Sequence, residues 1–312
     1  MKKKKILILG GGGFIGKWLS KSFSKIDWKT SIIDPHIDKK YKDDYLADNI
    51  HKFSINDNKL LTKCINSENW DYIIFLAAWG GKGNGLLKAA NENFNSSIEV
   101  NVKGFASLLD KAKKLKNTKI LWSSSTVVYG EEKEYYNGKV KESSSLFPIT
   151  YYGLTKTLAE KVAEYFIKEH KMLISGLRLP IVIGPGLEYR GVAAGISDMA
   201  RAIKLKKSVT IDMPNTPLDL IYIKDVSNIF IEMILTNNTL KPIYNVPSYR
   251  IYANEIADMF NKLANNSYIK INKNSVGTTY PKMISSSLKK DISYVIKYDL
   301  RKSALDWLKE LE

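Results

Sequence analysis

The sequence predicts an α/β protein with a doubly wound parallel sheet and a smaller C-terminal lobe. Three observations lead there. Wholly apolar runs of strand length alternate with amphipathic helical stretches as far as residue 183, as expected where both faces of a parallel sheet are covered. The first such run enters a cluster of glycines that opens a helix. From Gly184 to Gly195, glycine and proline break the alternation, marking the departure into the second lobe.

Taken in order, Ile6-Leu-Ile-Leu9 forms the first strand, and Gly10-x-x-Gly13-x-x-Gly16 forms the turn behind it. Glycine there lets the backbone approach a pyrophosphate and lets the helix pack close to the strand, and the helix N-terminus offers free N–H groups to the phosphates. Gly11 to Lys17 also fits P-loop spacing, but Trp18 stands where that motif needs a hydroxyl for magnesium. Phe14, Ile15, Trp18, Leu19 and Phe23 recur at helical spacing and should face the sheet. The second strand, Thr30 to Ile33, ends at Asp34, placed to accept hydrogen bonds from an adenosine ribose and to repel a 2′-phosphate, so NAD is expected rather than NADP.

A third strand is expected near Phe53-Ser54-Ile55, then a helix capped by Asn56 or Asp57 with Leu60, Leu61 and Ile65 inward. The fourth strand, Trp70 to Ala78 with Tyr72–Leu76 at its centre, ends in Ala77 and Ala78, small enough for backbone to approach a ligand. Trp79 to Gly85 is too glycine-rich for a helix and reads as a loop at the carboxyl edge of the sheet. A long helical stretch then carries Ile98, Val102, Phe105, Leu108 and Leu109, with Asn101 among them. Lys119 to Trp122 is the fifth strand and runs into Ser123-Ser-Ser-Thr-Val-Val-Tyr-Gly130. Beyond it, Pro148 to Lys156 opens a helix with Tyr152 and Lys156 one turn apart on one face. A free tyrosine keeps its proton to about pH 10, and a neighbouring ammonium stabilises the phenolate, so this pair suits a general acid or base.

At 312 residues the chain can bury a large core, and its 44% hydrophobic and 26% charged content is that of a globular protein. No apolar run is long enough to span a bilayer, and the four apolar residues after Lys2–Lys5 are too few for a secretion signal, so a cytoplasmic protein without a membrane partner is expected. Cys64 is the only cysteine and the three histidines are far apart, which speaks against disulfides and structural zinc. The formal net charge is +16, but the lysines are scattered without aromatic interleaving, the pattern of a solvated surface and not of a nucleic-acid face.

One Tyr-x-x-x-Lys alone is at the level of chance. The ordered set Gly10-x-x-Gly13-x-x-Gly16, Asp34, Leu76-Ala-Ala78, Asn101-Val-x-Gly104, Ser123-Ser-Ser, Val128-Tyr-Gly130, Tyr152-Gly-x-x-Lys156, Glu160, Arg178 and Gly184-Pro185 resembles the NAD-dependent epimerase/dehydratase family, the extended short-chain dehydrogenases, over nearly the whole chain. The resemblance implies a Rossmann-type fold, with residues 1–183 and a return over 220–247 binding NAD and 184–312 forming mainly the substrate lobe. It implies that Ser125 holds the substrate hydroxyl, Tyr152 exchanges its proton, and Lys156 holds the nicotinamide ribose and the tyrosine. Gly10, Gly13, Phe14, Ile15, Gly16, Asp34, Ser54, Ile55, Leu76, Ala77, Ala78, Asn101, Ser123, Tyr152, Lys156 and Pro180 would bind the dinucleotide. A homodimer through the helices starting near Leu86 and Tyr152 is implied as well.

The chain also departs from the family's pattern. Thr126 and Val127 stand where its dehydratases carry an Asp-Glu pair, which argues against dehydration. Ile181 and Leu218 stand where many sugar-nucleotide epimerases carry an Asn and an Arg for phosphate, leaving Arg190, Arg201, Lys204 or Lys206 as substitutes. The expectation is a nucleotide-sugar epimerase or 4-ketoreductase. The alternatives are an NAD-dependent dehydrogenase of a smaller hydroxy compound such as a sugar acid, and a non-catalytic NAD- or RNA-binding relative.

Overall fold

The computed structural model describes residues 3–37, 46–81, 83–188, 190–191, 193–214, 216–264, 268–275 and 277–311. Lys82, within the expected loop at 79–85, lies outside them. The chain runs β1 (Lys5–Leu9), α1 (Phe14–Ser24), β2 (Lys29–Ile33), β3 (Asn49–His51), α2 (Asn58–Asn66), β4 (Tyr72–Phe75), α3 (Leu86–Glu92), α4 (Phe94–Ile98), α5 (Gly104–Ala112), β5 (Lys119–Ser125), β6 (Lys139–Val140), α6 (Tyr151–His170) and β7 (Leu173–Leu179). It continues through β8 (Ile181–Ile183), α7 (Ala194–Lys204), β9 (Val209–Pro214), β10 (Leu218–Tyr222), α8 (Ile223–Leu235), β11 (Ile243–Asn245), β12 (Tyr249–Ile251), α9 (Ala253–Leu263), β13 (Ile269–Ser275), β14 (Lys282–Met283), α10 (Ser286–Ile292) and α11 (Leu300–Glu310).

Seven strands form one parallel sheet in the order β11-β7-β5-β4-β1-β2-β3. The order reverses between β1 and β4, and in such sheets ligands bind in the crevice outside the strand ends at that point. Ile6 and Ile8 join one apolar cluster with Leu19 and Phe23 of α1 and Phe230 of α8. Leu7 and Leu9 point the other way, into a cluster with Leu61 of α2, Phe105 of α5 and Ala163 of α6. That alternation is the strand's two-residue period, and it explains why β1 is apolar without interruption. Burying four such side chains contributes roughly 2 kcal/mol each.

Four details differ from the sequence expectation. The third strand lies at Asn49–His51, while Ser54 and Ile55 enter the turn that leads to α2. An edge strand is covered less than its neighbours and needs no apolar run. Leu60 faces outward at 40% exposure, and Leu61 and Ile65 carry the buried face of α2, which Asp57 caps. The helix expected around Asn101 runs without a break from α4 into α5 but contains a π-helical turn at Glu99–Lys103, and Asn93, with φ −150°, separates it from α3. The apolar stretch Leu220–Ile223, expected to rejoin the main sheet, instead falls in β10 and the start of α8; β10 pairs with β8 and β12 in a separate three-stranded sheet, and Ile243–Asn245 is the segment that returns to β7. The second lobe also carries a β9–β13 pair.

Candidate active site

The turn after β1 is built for close approach. Gly10 has φ +83°, and a Cβ there would lie 2.5 Å from the backbone N of Ala77 at the end of β4. At Gly16 a Cβ would meet the Gly11 backbone at 2.6 Å, so the helix seats directly on the turn. α1 follows its N-cap Gly13 with no side-chain cap and no acid in its first turn, leaving its N–H groups and positive end available to an anion. These features fit a dinucleotide pyrophosphate. Asp34 lies beside the turn, where its carboxylate accepts from Gly12 N at 3.1 Å and His36 N at 2.9 Å.

Across the crevice, β5 and β7 run in register with Ser125 opposite Leu179. Ser125 ends β5, and its Oγ accepts from Val127 N at 3.4 Å across the 3-10 turn Thr126–Val128. Thr150 caps α6 by accepting from Gly153 N at 3.0 Å, which fixes the first helical turn and with it Tyr152. One turn on, Lys156 is 1% exposed; its ammonium donates to Ser123 O at 2.7 Å and lies 5.7 Å from the Tyr152 ring centroid. Burial lowers its pKa to about 8, against a smaller opposing pull from Glu160.

A buried polar network holds these strands and helices together. Ser124 Oγ donates to Glu160 Oε1 at 2.6 Å, and Glu160 accepts two hydrogen bonds from Arg178. Arg178 also donates to Tyr129 OH, whose proton goes to Asn245 Oδ1 at 2.8 Å. The network thus joins β5, α6, β7, β11 and the Val128-Tyr-Gly130 turn. Burial pushes Tyr129 up to about 12, so it stays a neutral donor.

Two cavities adjoin here. One of about 470 Å³ is lined by Gly10, Gly13, Phe14, Ile15, Gly16, Leu76, Ala78, Ser123, Ser125, Tyr152 and Pro180, among others. A larger one of about 930 Å³ runs between α7, β9, β10 and the segment 277–280. They share Leu87, Thr126, Val127, Ile181, Arg190 and Gly191.

Most of the residues singled out from sequence therefore meet on the smaller cavity. Six do not line it. Ala77 lies behind Gly10, Lys156 lies beneath Tyr152, and Asp34 lies on the far side of the glycine turn. Ser54 accepts from Asn56 N in a turn, and Ile55 is buried against Gly104. Asn101 is 1% exposed: it accepts from Trp79 N at 2.8 Å and donates to Thr155 Oγ1 at 2.9 Å, which in turn donates to Tyr152 O at 2.7 Å. In this arrangement Asn101 positions α6. Leu87, Leu179, Arg190 and Gly191 were not singled out for the smaller cavity, because nothing in their local sequence marks them; distant segments bring them there.

A parallel doubly wound sheet whose crevice holds a glycine turn on one side and Ser125, Tyr152 and a buried Lys156 on the other defines an extended short-chain dehydrogenase/reductase. The sequence model of the NAD dependent epimerase/dehydratase family matches residues 6–246. The chain belongs to this family, and NAD is its cofactor. It is 29% identical over 191 residues to UDP-glucuronate 4-epimerase 6 of Arabidopsis thaliana, an alignment covering 58% of this chain and 40% of that protein. Among solved structures, L-threonine dehydrogenase from Clostridium difficile superposes with a TM-score of 0.85 at 22% identity, covering 100% of this chain and 98% of that one. UDP-glucuronic acid 4-epimerase from Bacillus cereus, in complex with a fluorinated UDP-glucuronic acid and NAD, gives a TM-score of 0.82 at 21% identity, covering 99% of this chain and 100% of that one. At these identities the structural likeness is one of fold. Among the described residues no helix is long and apolar enough to cross a membrane, and no group of three or more His, Cys, Asp or Glu is placed to hold a metal.

Proposed function

We propose that the chain is an NAD-dependent epimerase or 4-ketoreductase of nucleotide sugars. The observation that carries this reading is the pair of adjoining cavities: Tyr152 lines the smaller beside Val127, which also lines a second cavity of about 930 Å³. That volume is near the top of the range for ligand pockets, roughly 300–1,000 Å³, and suits a sugar with a nucleotide attached. The sequence relatives support a uridine nucleotide as the first to test.

Bound NAD would supply a hydride acceptor at its nicotinamide. The chain's own residues handle the proton and the orientation. Ser125 Oγ holds the carbinol hydroxyl, Tyr152 exchanges its proton as general base and acid, and the Lys156 ammonium favours the phenolate. If the ketone turns over in the site before reduction, the outcome is epimerisation; if it leaves, the outcome is net oxidation. Neither Thr126 nor Val127 can serve as acid or base for loss of water, so dehydration is not part of the proposal. Of the cations considered for phosphate contacts, Arg190 and Arg201 line the larger cavity, joined by Lys207, whereas Lys204 and Lys206 do not.

The second reading, a dehydrogenase of a smaller hydroxy compound such as a sugar acid, draws on Ile181 and Leu218. Both put apolar surface on the larger cavity where a phosphate ligand would be expected. One experiment separates the two. Purified protein is denatured to quantify released NAD(H), and native protein is then given UDP-, GDP- and dTDP-sugars and sugar acids while nicotinamide absorbance and product stereochemistry are followed. Isomerised sugar without net NADH supports the epimerase. Silence with every nucleotide sugar, with stoichiometric NADH from a sugar acid, replaces the first reading by the second.

A further inference from the structure

Arg250 stands opposite Asp219 where β12 pairs antiparallel with β10. Its guanidinium donates to Asp219 from Nε at 3.3 Å and from Nη2 at 2.8 Å, to Glu132 Oε1 from Nη1 at 2.9 Å, and to the main-chain oxygen of Tyr280 from Nη2. Four of its five N–H groups are thereby spent on protein acceptors, which makes it a brace and not a ligand site. One planar fork joins β10, β12, the 3-10 turn Glu132–Glu134 and the segment 277–280, across sequence separations of 30 to 118 residues.

That segment needs fastening, because residues 277–280 lie in no helix or strand. Arg250 holds its main chain at Tyr280 O, and Glu132 N donates to Thr279 O at 2.8 Å, so Glu132 serves with side chain and backbone alike. Gly277 lies so close to Pro214 that a Cβ there would stand 2.4 Å from the proline Cβ. Gly277, Thr278 and Tyr280 line the larger cavity, as does Asp219. Tyr280 also packs against the cluster of Ala90, Val127 and Tyr152.

We propose that Arg250 is a positioning residue for the substrate: through Tyr280 O it fixes the 277–280 wall of the larger cavity, with the Tyr280 ring set against the cluster that includes Tyr152. The proposal rests on the proposed function in taking the larger cavity as the substrate's seat, and it adds a residue that touches no substrate itself. A lysine cannot take its place, since a single ammonium offers no fixed fork to hold three acceptors from three segments. Contacts with such a wall are made alike before and during the reaction, so loosening it raises KM and spares kcat.

The test measures kcat, KM, Tm and NAD affinity by calorimetry for wild type, Arg250→Lys, Tyr280→Ala and the double variant. The substrates are UDP-, GDP- and dTDP-sugars and sugar acids. KM should rise about 10-fold in each single variant, with kcat within about threefold. The double variant should be no more than about twofold worse than the poorer single one, because both substitutions remove the same contact. NAD affinity should stay within a few-fold, since neither residue lines the smaller cavity. Tyr280→Ala leaves the brace intact, so it tests the wall even where Arg250→Lys fails to fold. An unchanged KM in either single variant, or single effects that multiply in the double one, overturns the proposal. So does an Arg250→Lys protein whose Tm, kcat and NAD affinity fall together, the mark of a merely structural role. A wild type that oxidises sugar acids alone refutes the nucleotide-sugar reading and still measures the KM effect. A wild type inert on every carbinol of the panel overturns both.

Discussion

Glu160 and Arg178 meet face to face in the interior, the carboxylate of α6 accepting from the guanidinium of β7 at 2.9 Å (Nε to Oε1) and 2.6 Å (Nη2 to Oε2), with both side chains 4% exposed or less. Such a pair need not stabilise more than an apolar pair of the same shape, but removing one member strands a buried charge. Glu160→Ala should destabilise the protein by about 3–5 kcal/mol, seen as a fall in Tm on the order of 10 °C. Glu160→Leu combined with Arg178→Met should recover much of it. An unchanged Tm in Glu160→Ala would contradict the network.

Tyr152→Phe removes one oxygen from a residue that, like Ser125, lines the smaller cavity, and leaves the glycine turn untouched. Turnover should fall by about 10²–10⁴ or more, while NAD binding, followed by calorimetry, stays within a few-fold of wild type. Wild-type rates in this variant would refute the proton-transfer role.

Lys156 gives a prediction with a pH axis. Its folded pKa of about 8 lies below the ordinary lysine value of 10.5, because burial penalises the ammonium. The unfolded chain therefore binds the proton more readily. Stability should be lowest, and flat with respect to this group, below about pH 8, and should rise between about 8 and 10.5. The effect is on the order of 3 kcal/mol. Lys156→Met should raise the Tm of the cofactor-free protein at pH 7, and the gap should narrow toward pH 10 while activity is lost at every pH. A variant less stable than wild type at pH 7 would show that the Ser123 carbonyl bond outweighs desolvation.

Asp34 holds its carboxylate on Gly12 N, and the sequence expectation is that this carboxylate meets the adenosine ribose of NAD. Asp34→Ser should weaken NAD by about tenfold, the effect of a lost charge-assisted hydrogen bond, and should improve NADP by at least as much. Titrating both dinucleotides by intrinsic fluorescence decides it. Equal NAD and NADP affinities in wild type would remove Asp34 from the cofactor's selection.

On α6, Tyr151, Leu158 and Tyr165 are 50%, 38% and 58% exposed and recur every seven residues, with Phe94 of α4 packed on Tyr151 at 4.7 Å between ring centroids. An apolar stripe at that spacing suits another helix pair. We expect a homodimer through this face; Leu158→Glu with Tyr165→Glu should sediment as a monomer with unchanged far-UV circular dichroism. A wild type that is monomeric at all concentrations would rule this out.

Much of this architecture was legible because it is local. β1, β4 and the glycine turn announce themselves by apolar runs and spacing, and Tyr152 with Lys156 by one helical turn. The edge strand at Asn49–His51 was missed, since half-covered backbone needs no apolar signature. The apolar stretch Leu220–Ile223 was read as returning to the main sheet, whereas β10 pairs elsewhere: complete burial says that both faces are covered, not by what. The hydrogen bonds of Asn101 to Trp79 and Thr155 join residues 22 and 54 positions away, a separation that no local pattern shows.

Pro180 is all that separates β7 of the main sheet from β8 of the second. Leu179, Pro180 and Ile181 line the smaller cavity, and Ile181 the larger as well. Along the chain, the two sheets are thus joined here by a single residue whose φ is locked by its own ring. Along this strand, the span from the wall of one cavity to the wall of the other is a covalent length, set during synthesis of the chain.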